Sequence, residues 1–179
     1  MADTTFNTDA GRTIARENLV LYLNTGTASS PTWSAIGKRV DDSSMDYDWG
    51  DDTTQDILGR TYTTLKKPTI TQSFDPVKLD SEDAAYLKIW NLAVHDQDAQ
   101  ALAAMDLLLV HLYAGTAAKP FAERYPESAV KVSGLGGEGG GDISMPFDVT
   151  FGGQRETGSV TKSASGAVTF TKDGTSSGS

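Results

Sequence analysis

A single stretch of this chain has the apolar spacing of an amphipathic helix, whereas apolar residues elsewhere occur in short runs between turn residues. Ala85, Ile89 and Leu92 lie on one face of that stretch, and Asp80 or Ser81 can cap its first turn. We expect the helix to end between residues 95 and 97. The chain also contains 21 Thr, 16 Ser and 18 Gly, which suits short strands and turns. The sequence therefore predicts a mainly β fold, an antiparallel sandwich or barrel with one flanking helix.

About seven to nine short strands are expected from the apolar runs. Residues 17–24 form a nearly continuous apolar run, typical of a strand buried on both faces, and residues 105–113 form another apolar strand, rich in Leu. Pro120 and Pro126 indicate a loop over residues 114–126. Further strands are predicted at residues 32–36, 68–74, 128–133 and 142–151, with a last hairpin formed by 158–162 and 167–171.

The clearest local pattern in the chain is an alternation that predicts a hairpin. Met45, Tyr47 and Trp49 alternate with Ser44, Asp46 and Asp48, the period of a half-exposed strand. We expect the chain to turn at residues 50–53 and to return as a strand over residues 55–65. The organisation that follows is a flexible arm at 1–17, one domain at 18–172 with a long hairpin at 41–64, and a disordered Gly/Ser-rich tail at 173–179.

Charge and composition exclude several classes of protein. The net charge is −9, with 24 acidic and 15 basic residues, so the surface does not attract nucleic acid. The chain has no Cys, which excludes disulfides, thiolate metal sites and cysteine nucleophiles. Neither a membrane-spanning segment nor a signal peptide is indicated, and we expect a protein that folds in a cytoplasm.

No catalytic or cofactor motif is found in the sequence. The Gly-rich residues 134–141 lack the Gly-Lys-Ser/Thr ending of a phosphate loop, and His95 and His111 have no zinc-protease spacing. Seven acids and no base occupy residues 41–56, but this run does not fit an EF-hand loop. A solvated, charged hairpin is favoured over a calcium site. We predict no enzyme activity, no metal and no cofactor.

The order of segments resembles major tail tube proteins of long, non-contractile-tailed bacteriophages. The resemblance begins with Trp33-Ser34-Ala35-Ile36-Gly37-Lys38-Arg39-Val40 and Asp41-Asp42-Ser43-Ser44-Met45-Asp46-Tyr47, and continues with Ile57-Leu58-Gly59-Arg60-Thr61 and Ile70-Thr71-Gln72-Ser73-Phe74-Asp75-Pro76. After the helix come the Gly-rich run and Met145-Pro146-Phe147-Asp148-Val149-Thr150-Phe151-Gly152-Gly153. The resemblance spans residues 19–162. It depends on the order of these segments, because no single motif is diagnostic.

The resemblance implies a virion tail subunit that assembles with itself. Family members form hexameric rings that stack into a tube, through which DNA is ejected without specific binding. The implied partners are the tape measure protein, the tail tip initiator and the tail terminator. No association with a membrane is implied. A long hairpin commonly bridges subunits in this family, and here it would be residues 41–64.

Two sets of residues are the candidates for this role. The subunit or ring interface is expected at Met45, Tyr47, Trp49, Gly50, Asp51, Asp52 and Thr53, unless the three apolar residues pack inside their own subunit. Acidic charges of the channel or hairpin are expected at Asp41, Asp42, Asp46, Asp48 and Asp56. The alternatives are a β-sandwich that binds calcium or carbohydrate through Trp33, Tyr47 and Trp49, and a tube protein of the type VI secretion kind.

Overall fold

The structure is a computed structural model that describes residues 4–174. Eleven strands occur in that range: β1 Leu19–Asn24, β2 Trp33–Ile36, β3 Met45–Asp48, β4 Asp52–Gln55, β5 Thr61–Thr64, β6 Thr69–Phe74, β7 Met105–Thr116, β8 Lys119–Val132, β9 Phe147–Phe151, β10 Glu156–Lys162 and β11 Val168–Lys172. The helices are α1 Ala84–Trp90, continued by a π turn at Asn91–His95, and α2 Ala99–Leu102, with a 3₁₀ turn at Arg16–Asn18. The predicted fold class, mainly β and antiparallel with a flanking helix, is confirmed.

Two antiparallel layers share the long strand β8. One layer has the order β2-β1-β7-β8-β10-β11, and the other has the order β8-β9-β6-β3. The first half of β8 pairs with β7 and β10, and residues 129–132 pair with β9. The register with β7 shifts beside Pro126, so the proline lies at an irregularity where no ladder hydrogen bond is lost.

The loop predicted at residues 114–126 is wrong, because β7 and β8 form a tight hairpin there. Pro120 lies opposite Gly115 near the start of β8, where a missing amide proton costs little. The expected strand at 128–133 is the second half of β8, and the strand expected from residue 142 begins only at Phe147.

The main core lies between the two layers and under α1. Leu23, Leu107, Phe147 and Val149 are fully buried there, and Tyr86 and Ile89 from the helix close it. A second core covers the other face of the first layer, with Tyr22, Trp33, Leu108, Val110, Ala122, Val160 and Val168. Strands β1 and β7 contribute to both cores, which confirms the prediction that the strand at residues 17–24 is buried on both faces.

The N-cap of helix α1 lies three residues after the first expected cap, Asp80. Asp83 is the N-cap, and its Oδ1 accepts hydrogen bonds from the amides of Ala85 and Tyr86 at 3.0 and 3.2 Å. Asp80 instead accepts from the amide of Glu82 and pairs with Lys38 at 2.7 Å. Burial raises the pKa of Tyr86 to about 12, and its hydroxyl donates to the Lys38 carbonyl.

The first residues described contact the sheet. Thr5 and Asn7 exchange backbone hydrogen bonds with Gly115 and Tyr113 at 2.9 Å, and the Phe6 ring packs edge-on against Tyr113. Arg16 donates to the Leu19 and Ser43 carbonyls. The tail predicted at 173–179 falls outside the described residues from position 175 onward.

Candidate assembly surface

A two-stranded ribbon extends the second layer beyond the body of the domain. Strand β3 pairs with β6, and Lys66 N donates to Trp49 O at 2.9 Å where that ladder ends. Beyond this bond β4 pairs with β5, so residues 49–66 form one ribbon. Every residue of β4 and β5 is exposed. An isolated two-stranded hairpin is marginally stable in water, so a ribbon of this kind gains order by packing on something else.

The chain reverses at residues 56–60 and not at the predicted turn of residues 50–53. Asp56 Oδ1 accepts from the amides of Leu58 and Arg60 at 2.9 Å, and Tyr62 donates its hydroxyl to Asp56 Oδ2 at 3.1 Å. These hydrogen bonds lower the pKa of Asp56, and the bond from the Arg60 amide has the largest effect. Gly59 has a φ of 78°, which the reversal requires. The tip is therefore a closed, ordered turn.

Apolar side chains are concentrated on this ribbon. Of the eleven large hydrophobic side chains that are exposed among the described residues, five lie at positions 49–66: Trp49, Ile57, Leu58, Tyr62 and Leu65. Ile57 is 103% exposed and Leu58 is 75% exposed, so the tip presents two aliphatic side chains to solvent. Exposed apolar side chains concentrated in one element usually mark an interaction site.

A cleft of about 500 Å³ lies between the base of the ribbon and strands β8 and β9. Its apolar walls come from Tyr47, Trp49, Ile70, Tyr125 and Phe151, and its polar groups come from Lys67, Glu123 and Arg155. Tyr47 and Trp49 are 47% and 48% exposed, whereas Tyr125 and Phe151 are buried. The cleft is therefore lined on one side by buried aromatic residues and on the other by half-exposed ones.

An ionic network around the buried Glu123 forms the floor of this cleft. Glu123 Oε2 accepts from Arg155 Nε at 2.9 Å and from the Tyr125 hydroxyl. His111 Nε2 lies 3.4 Å from Glu123 Oε1, which is long for a hydrogen bond. Burial favours the neutral form of Glu123, but the interactions with His111, Arg155 and Tyr125 outweigh it and hold its pKa at about 2. Burial, and then the bond to Glu123, raise the pKa of Tyr125.

The predicted interface residues occupy different environments. Met45 is half-buried and packs against the main core, whereas Tyr47 and Trp49 line the cleft. Gly50 has a φ of 49°, and its amide donates to Asp48 Oδ1. Asp51, Asp52 and Thr53 are exposed on the ribbon. The set is therefore one continuous strip from the edge of the core to the ribbon.

The predicted acidic residues do not converge on one point. Asp46 and Asp48 are exposed on the solvent face of β3, beside Thr71 and Thr69 of β6. Asp41 and Asp42 line a second cleft, near Arg16, between the two ends of the sheet. Asp56 holds the ribbon tip. Among residues 4–174, no group of three or more His, Cys, Asp or Glu side chains could hold a metal ion.

The three aromatic residues of the carbohydrate hypothesis do not share a surface. Trp33 is 9% exposed in the second core, with the Arg124 guanidinium 5.9 Å above its ring. Tyr47 and Trp49 instead line the cleft between the base of the ribbon and strands β8 and β9. A stacking surface made from all three is therefore absent from the described part of the chain.

Sequence reasoning missed Glu123 and Arg155. Glu123 fell within the predicted loop, and Arg155 follows a Gly-Gly-Gln segment with no periodicity. The alternation of Phe121, Glu123 and Tyr125 was a usable signal, since all three are placed at a strand period. The prolines on either side obscured it.

Comparisons with known proteins give structural likenesses and no sequence match. No protein-family model matches the chain, and no curated protein matches it. A solved chain titled "Cryo-EM Structure of an Extracellular Contractile Injection System, PVC sheath-tube complex in extended state" is 8% identical, with a TM-score of 0.46. The match covers 84% of this chain and 95% of that one. At this identity and score, no functional conclusion follows from the likeness. Among the described residues, no helix is long and apolar enough to cross a membrane.

Proposed function

We propose that this chain is a structural subunit of a tail-like tube, which assembles with copies of itself through the ribbon at residues 49–66. The observation that carries the proposal is the ribbon itself: it is fully exposed, closed by an ordered turn and rich in exposed apolar residues. The fold of the body does not need it, because both cores lie elsewhere. Burying these side chains against another copy would remove them from water.

The proposal includes the finer expectations drawn from the sequence. Copies would close into hexameric rings, and the rings would stack into the tail tube of a long, non-contractile-tailed phage, with the tape measure, tip initiator and terminator proteins as partners. The sequence does not choose among the five candidate acids; because Asp46 and Asp48 are exposed on β3, we propose that these two face the channel and repel DNA. A tube of the contractile or type VI kind is the second candidate; it differs in requiring a sheath on its outer surface, and co-sedimentation with sheath protein would separate the two.

A ribbon-less variant tests the proposal. Residues 50–65 are replaced by Asn-Gly, so that Trp49 and Lys66 become the first and last residues of a two-residue turn. Their existing hydrogen bond is the one that such a turn requires. We expect this variant to fold with an unchanged unfolding midpoint and to stay monomeric.

The measurement is sedimentation velocity with negative-stain electron microscopy over a concentration series. The matched control is Leu87→Gln, which removes a side chain that is 52% exposed on α1, away from the ribbon. Wild type and control should form rings or rods. Rings or rods from the ribbon-less variant would refute the role of the ribbon, and monomers of wild type at every soluble concentration would refute self-assembly.

A further inference from the structure

We propose that the cleft beside Tyr47 and Trp49 is the receptor for the ribbon tip, Ile57 and Leu58, of a second copy of this chain. The inference rests on the proposed function, because it names the surface that the ribbon contacts. It also fixes the type of contact, since the tip and the cleft are different surfaces.

The tip is already shaped for insertion. Asp56 fixes the turn through the amides of Leu58 and Arg60, so no loop has to be ordered when the tip binds. The two aliphatic side chains next to it are the most exposed large hydrophobic residues of the ribbon. A pre-ordered apolar plug avoids most of the entropy cost of binding a loop.

The cleft complements this plug in polarity and in charge. Its walls are aromatic and aliphatic, and its volume of about 500 Å³ is ample for two aliphatic side chains. The ribbon at residues 49–66 carries three acids, Asp51, Asp52 and Asp56, against two bases, and so has a net negative charge. In the cleft, Glu123 is paired with Arg155, which leaves the positive charge of Lys67. The two surfaces therefore have net charges of opposite sign.

The position of the tip assigns the receptor cleft to another copy. From Asp52 to Ile57 the chain covers about 17 Å, at ~3.3 Å per residue. Ile57 is fully exposed, and neither Ile57 nor Leu58 lines the cleft of its own copy. The tip is therefore free to enter the cleft of a neighbour. A contact between two different surfaces is heterologous, and it produces a closed ring or an open filament.

Complementation between two variants tests the pairing. The tip variant carries Ile57→Ser and Leu58→Ser, and the cleft variant carries Tyr47→Ser and Trp49→Ser, all at residues that are about half to fully exposed. Each variant alone should need at least about a tenfold higher concentration to assemble than wild type. An equimolar mixture should form 1:1 heterodimers, because the tip variant keeps an intact cleft and the cleft variant keeps an intact tip. Sedimentation velocity measures the concentration at which each variant assembles, and native mass spectrometry detects the 1:1 heterodimer.

The outcomes separate this inference from the proposed function. A mixture that stays monomeric, while wild type and Leu87→Gln assemble, overturns the tip-to-cleft pairing and leaves self-assembly in place. Variants that each assemble like wild type overturn the pairing in the same way. Wild type that never assembles overturns self-assembly, and the pairing with it. Unchanged circular dichroism and unfolding midpoints establish that each variant is folded.

Discussion

Replacing Glu123 by Gln should reduce stability at neutral pH and remove much of its loss in acid. The Glu123 carboxylate is buried and bound by Arg155 and the Tyr125 hydroxyl, and its pKa is about 2 against an ordinary 4.5. A difference of this size corresponds to ~3 kcal/mol of unfolding free energy. Arg155 is 42% exposed, so solvent screening makes this figure an upper bound.

The direction with pH follows from the sign of the shift. The pKa of Glu123 is lower in the folded state, so its stabilisation is fully present above pH 4.5 and is lost as the pH falls through 2. About half should be gone near pH 3.3, and nearly all near pH 2. The Gln side chain does not titrate, so the stability difference between the two proteins should shrink over that window.

Urea unfolding followed by tryptophan fluorescence, from pH 6 to pH 2, measures this difference. Other carboxylates also titrate in the same range, but they are common to both proteins and cancel in the comparison. Glu127→Gln is the control, because Glu127 is exposed on the same strand. Free energies of wild type and Glu123→Gln that run parallel down to pH 2 would refute the assigned network, and so would an equal effect of Glu127→Gln.

Two further substitutions test the local structure. Asp83→Ala removes the side chain that caps α1 and should lower the unfolding free energy by ~1 kcal/mol, with Asp83→Asn restoring most of it in the same urea titration; no loss in the Ala variant would refute the cap. Gly158→Ala adds a Cβ that would overlap the Thr171 carbonyl oxygen and the Phe170 ring across β10 and β11. It should cost ~1–3 kcal/mol, whereas Gly136→Ala, with nothing within 4 Å, is the control. Equal unfolding midpoints for the two Gly variants would contradict the close pairing.

The elements that sequence predicted well are those whose pattern reports burial directly. Runs such as Leu107 to Val110 are apolar at every position because β7 faces two cores, and this information is local. The face of α1 was also predicted, since Ala85 and Ile89 are buried at a helical spacing. The cap was misplaced because Asp80, Ser81 and Asp83 all suit the position, and only packing of the first turn selects one.

The elements that sequence missed depend on residues far apart in the chain. Residues 50–53 and 56–60 both have turn composition, and the choice between them is made by the pairing of β3 with β6, which aligns Met45 with Gln72. Proline interrupts most strands because it has no amide proton to donate. Pro120 and Pro126, however, each lie where β8 needs no amide donor. The Glu123 network joins β7, β8 and the segment before β10. The alternation around Glu123 could have indicated its strand, but no local pattern could have shown its pairing with Arg155.

The buried cores and the exposed ribbon are separate parts of this chain, so the fold of the body does not explain the ribbon. Exposed apolar residues on a ribbon that supported the fold would be explained by the fold, but β4 and β5 bury nothing in the monomer. Their pairing alone is too short to be stable by itself. A free ribbon of this kind is an aggregation hazard unless a specific receptor is present, and the same chain carries a cleft of matching polarity and charge. Self-assembly through one defined contact therefore explains the exposed ribbon better than a ribbon that contacts nothing.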